Sequence, residues 1–246
     1  NVSIDLSVIG DVKDILAGLI PLVDAKDRTP WMEKLAQWRK KDYFPDSTPG
    51  VLHPHTIMEI ISEVAGENAV IVTDVGQHQI WAAQYCKETK PRGFITSGGL
   101  GTMGFGYGAA IGAKIALPDA TVIHITGDGS FHMNLNEACT AVSNHLNIVT
   151  VILDNQVLGM VRQWQTAFYH HHYMATDPHR KTDYVKVAEG FGASGFRVQT
   201  PEEFRTALTQ ALEKDGPVWI VCPIDKDEKV LPMIPSGKTV QDTILK

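Results

Sequence analysis

Cysteine is scarce in this chain. Cys86, Cys139 and Cys222 are the only three in 246 residues, far apart and in no paired spacing. That excludes a disulfide framework or a thiolate zinc site and fits a reducing compartment, where such thiols are ordinary core or surface groups. Long apolar runs are missing as well, none approaching the roughly 18 residues that span a bilayer. No charged stretch followed by an apolar core and a cleavage site opens the chain. The expected setting is cytoplasmic, with a processed organellar form left open, and no membrane partner is expected. Nor is there a basic excess: 22 Lys and Arg against 28 Asp and Glu leave a formal charge of −6. Without a global basic field the chain has no general hold on a nucleic-acid backbone, so an anionic ligand must be met locally. Repeats and low-complexity tracts are absent, apart from the triple histidine at 170–172.

What remains is 43% hydrophobic and 20% charged, the composition of a soluble globular protein of one large domain or one domain plus an appendage. Residues 1–11 alternate as V-S-I-D-L-S-V-I before Gly10-Asp11, and Val12–Val23 shows apolar residues at helical spacing. This opening, 1–28, resembles the tail of another domain. A linker over 29–50 carries a tryptophan-bearing helix near Pro30–Lys41 and then Pro45, Ser47, Thr48, Pro49 and Gly50. The main domain is expected over 51–225, with a tail at 226–246.

Within it, runs rich in β-branched residues alternate with helical patterns. The strands are expected at Ala69–Val75, Phe94–Ser97, Thr121–Thr126, Ile148–Leu153, Gly195–Val198 and Val218–Ile224. The helices are expected near Pro54–Ala65, Gln77–Tyr85, Met103–Leu117, Asn134–Asn144, Tyr184–Phe191 and Pro201–Lys214. Nearly continuous apolar strands separated by helices predict an α/β fold with a doubly wound, mainly parallel six-stranded sheet covered on both faces. Ligands of such sheets collect outside the carboxyl ends of the strands.

Those ends carry Gly76-Gln77-His78-Gln79, a glycine run from Gly98 to Gly108, Gly127-Asp128-Gly129-Ser130 and Asp154-Asn155-Gln156-Val157-Leu158-Gly159. Glycines let a backbone approach a ligand and offer N–H groups to an anion at a helix start. Gly99-x-Gly101-x-x-Gly104 has the spacing of a dinucleotide fingerprint, with Asp128 about 24 residues beyond it in the role of a ribose acid. Asp128 speaks against that reading, because it stands in a Gly-Asp-Gly-Ser turn with Asn155 at the next strand end. A carboxylate and an amide oxygen are hard ligands, and with a main-chain carbonyl and phosphate oxygens they suit octahedral Mg²⁺. The alternative is that Asp128 merely caps the helix that follows.

At these residues the chain resembles the thiamine-diphosphate enzymes, in which a Gly-Asp-Gly … Asn motif holds the cofactor diphosphate through Mg²⁺. Asp154 stands where relatives usually have a first asparagine. A finer resemblance is to the C-terminal cofactor domain of the acetohydroxyacid (acetolactate) synthase family. It rests on Asp74–Gln79, Ser97–Gly104, Gly159–Gln165, Phe168-Tyr169 and Val230–Pro235.

The resemblance implies Mg²⁺ ligation by Asp128, Asn155 and the Val157 carbonyl. It implies diphosphate binding by Gly76, Gln77 and His78 and by main-chain groups around Gly129, Ser130, Gly159 and Met160. Met103 would support the bent cofactor while the Gly101 carbonyl receives its aminopyrimidine, the two catalytic positions; core filling is the alternative for Met103. Met160 and Trp164 would face substrate, Trp164 on a short helix where ordinary packing is the alternative. Tyr107-Gly108, His172 and Met174 depart from the family's usual residues, and the histidine run is expected to be a solvated loop rather than a metal site.

The implied reaction is decarboxylation of pyruvate and carboligation to pyruvate or 2-oxobutanoate in branched-chain amino-acid biosynthesis. The implied partners are the N-terminal domain of another catalytic subunit in a homodimer or tetramer, and a regulatory small subunit. FAD belongs to the family's middle domain and is not expected here. Other thiamine-diphosphate carboligases, pyruvate oxidase, an NAD-dependent dehydrogenase and a silent scaffold fragment remain open readings.

Overall fold

The computed structural model describes residues 4–39, 48–87 and 90–245. Chain contacts divide it into two compact units, Asn1–Tyr43 and Phe44–Lys246.

The first unit holds α1 (Val12–Leu19), a 3₁₀ turn Ile20–Leu22 and α2 (Thr29–Arg39). The Asp11 carboxylate accepts from the Lys13 N–H at 2.8 Å and starts α1. None of residues 4–38 is buried, and Val12, Leu16, Leu19 and Leu22 are all exposed. Residues 4–11, for all their alternation, form no strand; among the described residues this unit offers no strand to pair with. Of the expected linker, residues 40–47, with Pro45 and Ser47, lie outside the described residues.

The second unit is built as its β-branched runs dictate. Six strands, β1 (Ala69–Thr73), β2 (Phe94–Ile95), β3 (Thr121–Gly127), β4 (Ile148–Asp154), β5 (Ser194–Arg197) and β6 (Val218–Pro223), form one sheet in the order β2-β1-β3-β4-β6-β5. Every pairing is parallel. Because side chains alternate across a strand, Ile71, Ile123, Ile125, Val149, Val151 and Ile220 face one layer, with α3 (Pro54–Val64), α4 (Gln77–Tyr85) and α10 (Pro201–Leu212). Their neighbours Val70, Val72, Val122, Ile148, Ile152 and Val221 face the other, with α5 (Phe105–Ala116), α7 (Ala138–Ser143) and α9 (Tyr184–Phe191). Each such side chain, fully buried, contributes about 1.5–3 kcal/mol, which is why the strands were readable as unbroken apolar runs.

Several boundaries differ from the sequence reading. The second strand stops at Ile95, as an edge strand, and Thr96 turns to meet Thr73 Oγ1 at 2.7 Å. Helix α5 starts at Phe105 rather than Met103, because Gly104 takes φ +87°, outside the helical region. The helix expected over Asn134–Asn144 shortens to a 3₁₀ turn and α7. The short helix around Trp164 is a full α8, Gly159–Phe168, and a four-residue α6 spans Asp128–Phe131. Among the described residues no helix is long and apolar enough to cross a membrane.

Register brings the site together. Gly127 pairs with Leu153, and Asp154 with Pro223, so Asp128 and Asn155 leave the sheet at adjacent strand ends. On the other side of β3, Thr73 of β1 pairs with Ile125, delivering Gly76–His78 to the same end. The chain winds outward from β1 to β2 and then the other way from β3, so this is the switch point at which doubly wound sheets bind ligands.

Candidate cofactor site

A cavity of about 290 Å³ opens there. Gly76, Gln77, His78, Gly101, Met103, Asp128, Gly129, Ser130, Asn155, Val157, Gly159 and Met160 all line it, so the structure brings every sequence-derived cofactor contact to one place. Met160 is shared with an adjoining, wider cavity of about 640 Å³ that contains Trp164, Phe168, His172 and Met174.

The local chemistry is specific. Asp128 opens α6 but does not cap it; the cap residue is Gly127, which makes no side-chain cap bond. Its carboxylate, 3% exposed, instead accepts from Arg180 Nη1 at 2.7 Å. Burial, and after it the charge of Asp154, pushes the Asp128 carboxyl up to about 6 against the pull of Arg180. Asp154 is itself buried, which raises its carboxyl, and Arg197 at 3.7 Å pulls the other way. Asn155 Oδ1 accepts from the Val157 N–H at 3.1 Å, and its amide nitrogen faces Gln77 Oε1 at 3.4 Å. Among the described residues no three His, Cys, Asp or Glu side chains cluster as a metal site. The proposed set is of another kind, one carboxylate, one carboxamide and one main-chain carbonyl, the hard oxygen donors that suit Mg²⁺ completed by phosphate.

The fit to a diphosphate can be tested on the protein itself. His78 is fully buried, yet its Nε2 has no partner, and burial holds the imidazole neutral with its pKa lowered to about 3. A buried ring nitrogen without a partner is costly unless a ligand completes it. Helix α8 starts without a side-chain cap at Gly159, so its first N–H groups are open to an anion. A Cβ at Gly159 would collide with Gln77 Oε1 and Asn155 Nδ2, so the backbone there is packed as closely as glycine allows. Gly101 takes φ +62° with only Val75 Cγ1 near its missing Cβ, so conformation rather than space requires that glycine.

Some residues of the quoted motifs make contacts that the sequence reading did not assign. Buried Asp74 accepts from the Val75 N–H at 2.9 Å and the Gly104 N–H at 2.8 Å, tying the glycine run to the end of β1. Gln163 accepts from Gln77 Nε2 and from the Val230 N–H, both at 2.9 Å, and donates to the Val230 carbonyl at 3.0 Å. Through it the tail is strapped to α4 and α8. The glycine fingerprint follows edge strand β2 rather than the first strand, whose own turn is Gly76–His78, so it is not placed as a dinucleotide loop. His170, His171 and His172 are exposed, as a solvated loop requires.

Fold and site together define a cofactor domain that presents a cation-and-anion cradle at the switch point of a parallel sheet. Residues 74–222 match the model of the thiamine pyrophosphate enzyme, C-terminal TPP binding domain, and the chain belongs to that family. Over 97% of its length it is 40% identical to the mitochondrial acetolactate synthase catalytic subunit of Aspergillus candidus, covering 36% of that protein. It is equally 40% identical, over 94% of its length, to the acetolactate synthase isozyme 1 large subunit of Escherichia coli, covering 42% of it. The chain therefore spans well under half of these relatives. Among solved structures it is similar to the thiamine diphosphate-dependent 4-hydroxybenzoylformate decarboxylase of Rhodococcus jostii, with a TM-score of 0.68 and 27% identity, covering 74% of this chain and 34% of that one.

Proposed function

We propose that this chain is the cofactor-holding part of an acetolactate synthase catalytic subunit, acting with thiamine diphosphate and Mg²⁺. The observation that carries the reading is the register of β3 and β4, which sets Asp128 and Asn155 at neighbouring strand ends in one cavity with His78 and Gly159. In this reading Asp128, Asn155 and the Val157 carbonyl hold Mg²⁺. His78 and Gln77, beside Gly76, and the main chain at Gly129, Ser130, Gly159 and Met160 hold the diphosphate. Met103 and the Gly101 carbonyl, which line the same cavity, would hold the aminopyrimidine part of the cofactor.

When bound, thiamine diphosphate supplies the electron sink that allows a 2-oxo acid to lose CO₂ and couple to a second carbonyl. The protein's share is to hold the parts in reacting geometry, which can be worth roughly 7–11 kcal/mol. Trp164, 40% exposed at the mouth of the wider cavity, and Met160 shape the place of the second substrate, pyruvate or 2-oxobutanoate, and exclude water. The three cysteines are free, which supports a reducing, cytoplasmic setting.

The synthase's activity also needs a carboxylate from the N-terminal domain of a partner subunit in a homodimer or tetramer, with FAD held by the middle domain and a small subunit regulating the assembly. These 246 residues alone are then inactive, and turnover by the isolated chain contradicts this part of the reading. The test of the site is calorimetric titration with Mg²⁺ and thiamine diphosphate. Binding that requires Mg²⁺ and is lost in Asp128→Asn supports the reading; Mg²⁺-independent binding, or binding of NADH in its place, refutes it.

A further inference from the structure

Arg180 reaches the site from a stretch that no motif marks. It lies between α8 and α9 on a segment fixed at both ends. Thr176 is buried and its carbonyl accepts from the Leu158 N–H at 2.8 Å, while Thr182 Oγ1 meets His132 Nε2 at 2.8 Å and Asp183 caps α9 through the Lys186 N–H. Between these anchors Arg180 Nη1 sits 2.7 Å from Asp128 Oδ2, with 20% of the arginine side chain exposed. Both of its terminal nitrogens lie 3.7 Å from where a Cβ on Gly129 would stand, so the guanidinium covers a main-chain stretch that lines the cavity. Asp154, another buried acid of the site, pairs with the half-exposed Arg197 at 3.7 Å.

Resting on the reading of Asp128 as a metal ligand, we propose that Arg180 is a tethered competitor of the divalent cation. The two cations contend for one carboxylate, and metal loading turns the guanidinium out toward solvent. Mg²⁺ requires oxygen ligands at about 2.0–2.1 Å in near-octahedral array. A guanidinium already hydrogen-bonded to that carboxylate is a like charge at short range, with little water to screen it. Arginine never gives up its proton in a protein, so Arg180 does not leave the contest by losing its charge. A divalent ion alone must displace a charge-assisted hydrogen bond, whereas an ion arriving with a diphosphate brings its own negative charge. Arg180 thereby makes the site selective for the metal–diphosphate pair over the free ion.

The experiment is a Mn²⁺ titration followed by electron paramagnetic resonance, with Mn²⁺ alone and then with thiamine diphosphate, on the whole chain and its variants. Arg180→Gln is expected to bind Mn²⁺ alone roughly tenfold more tightly than the unsubstituted chain, the scale of a hydrogen bond to a charged group. Arg180→Lys, which keeps the cation, stays near the unsubstituted value. Unchanged or weaker Mn²⁺ binding in Arg180→Gln overturns the proposal, the weaker result assigning Arg180 to the anion instead. Mn²⁺ binding that survives Asp128→Asn also overturns it, because the ion then sits elsewhere. If Arg180→Gln gains affinity for Mn²⁺ but thiamine diphosphate affects no variant, the competition at Asp128 stands and the cofactor reading falls.

Discussion

The two cavities at the carboxyl end of the sheet are neighbours built by different means. The first is lined by residues that leave β1, β3 and β4 at once, so the register of a fully buried sheet fixes their positions. The second is lined by one face of α8 and the loop after it, where His170 and His171 take φ +50° and +61° and the side chains from 169 to 175 are exposed. Strand ends cannot shift without breaking the parallel ladder, whereas a surface loop tolerates change. The proposed function accordingly puts the cofactor in the first place and substrate preference in the second.

The strongest way to break that contrast is substitution at the strand ends. Asp128→Asn is expected to weaken Mg²⁺-dependent thiamine diphosphate binding by about a hundredfold or more, the loss of a charged ligand, whereas Trp164→Ala leaves that affinity within about threefold, inside the scatter expected of an exposed site. In the assembled enzyme Trp164→Ala instead shifts the ratio of products from pyruvate and 2-oxobutanoate. Equal losses of cofactor affinity in the two variants contradict the division. Next in size is Gly159→Ala, where the added methyl meets Gln77 and Asn155. It should cost about 1–3 kcal/mol in urea denaturation and also weaken cofactor binding; Gly112→Ala, in the interior of α5 with nothing within 4 Å of its missing Cβ, is the control, which should leave cofactor binding unchanged and gain up to about 1 kcal/mol.

A third expectation concerns two buried histidines, His78 of the site and His124 of β3. Burial, as the leading cause, lowers both His78 and His124 to about 3, and each has an Nε2 without a partner. Their folded pKa lies below the unfolded value of 6.5, so at these two groups the unfolded chain binds more protons and their contribution to stability falls as pH drops from about 6.5 toward 3, against the opposite contribution of Asp128. At pH 5.5 each histidine costs about 1.4 kcal/mol relative to neutral pH. His124→Asn should remove its half of that slope; an unchanged slope in urea melts at pH 7.5 and 5.5 contradicts the assignment. The smallest effect is expected in the loop, where His171→Ala should change stability by no more than about 0.5 kcal/mol.

How much of this was legible in the sequence depended on whether the information was local. Strands β3, β4 and β6 showed as β-branched runs because both faces of the sheet are buried, and α4 and α9 start and stop at their expected residues. The turn residues at the strand ends were legible because small and polar types interrupt those runs. Asp74 with Gly104, Asp128 with Arg180 and Gln163 with Val230 pair across 30, 52 and 67 residues. No local pattern encodes such contacts; they follow from the register of the sheet and the path of the loops. The opening alternation forms no strand over residues 4–11, since period two describes a strand only where another strand is beside it.

The most direct measurement is the anomalous diffraction of a crystal grown with Mn²⁺ and thiamine diphosphate. The account predicts a single ion at about 2.0–2.3 Å from an Asp128 carboxylate oxygen, the Asn155 side-chain oxygen and the Val157 carbonyl, joined to two diphosphate oxygens. A diphosphate seated on the Gly98–Gly104 run with no ion between Asp128 and Asn155 contradicts it.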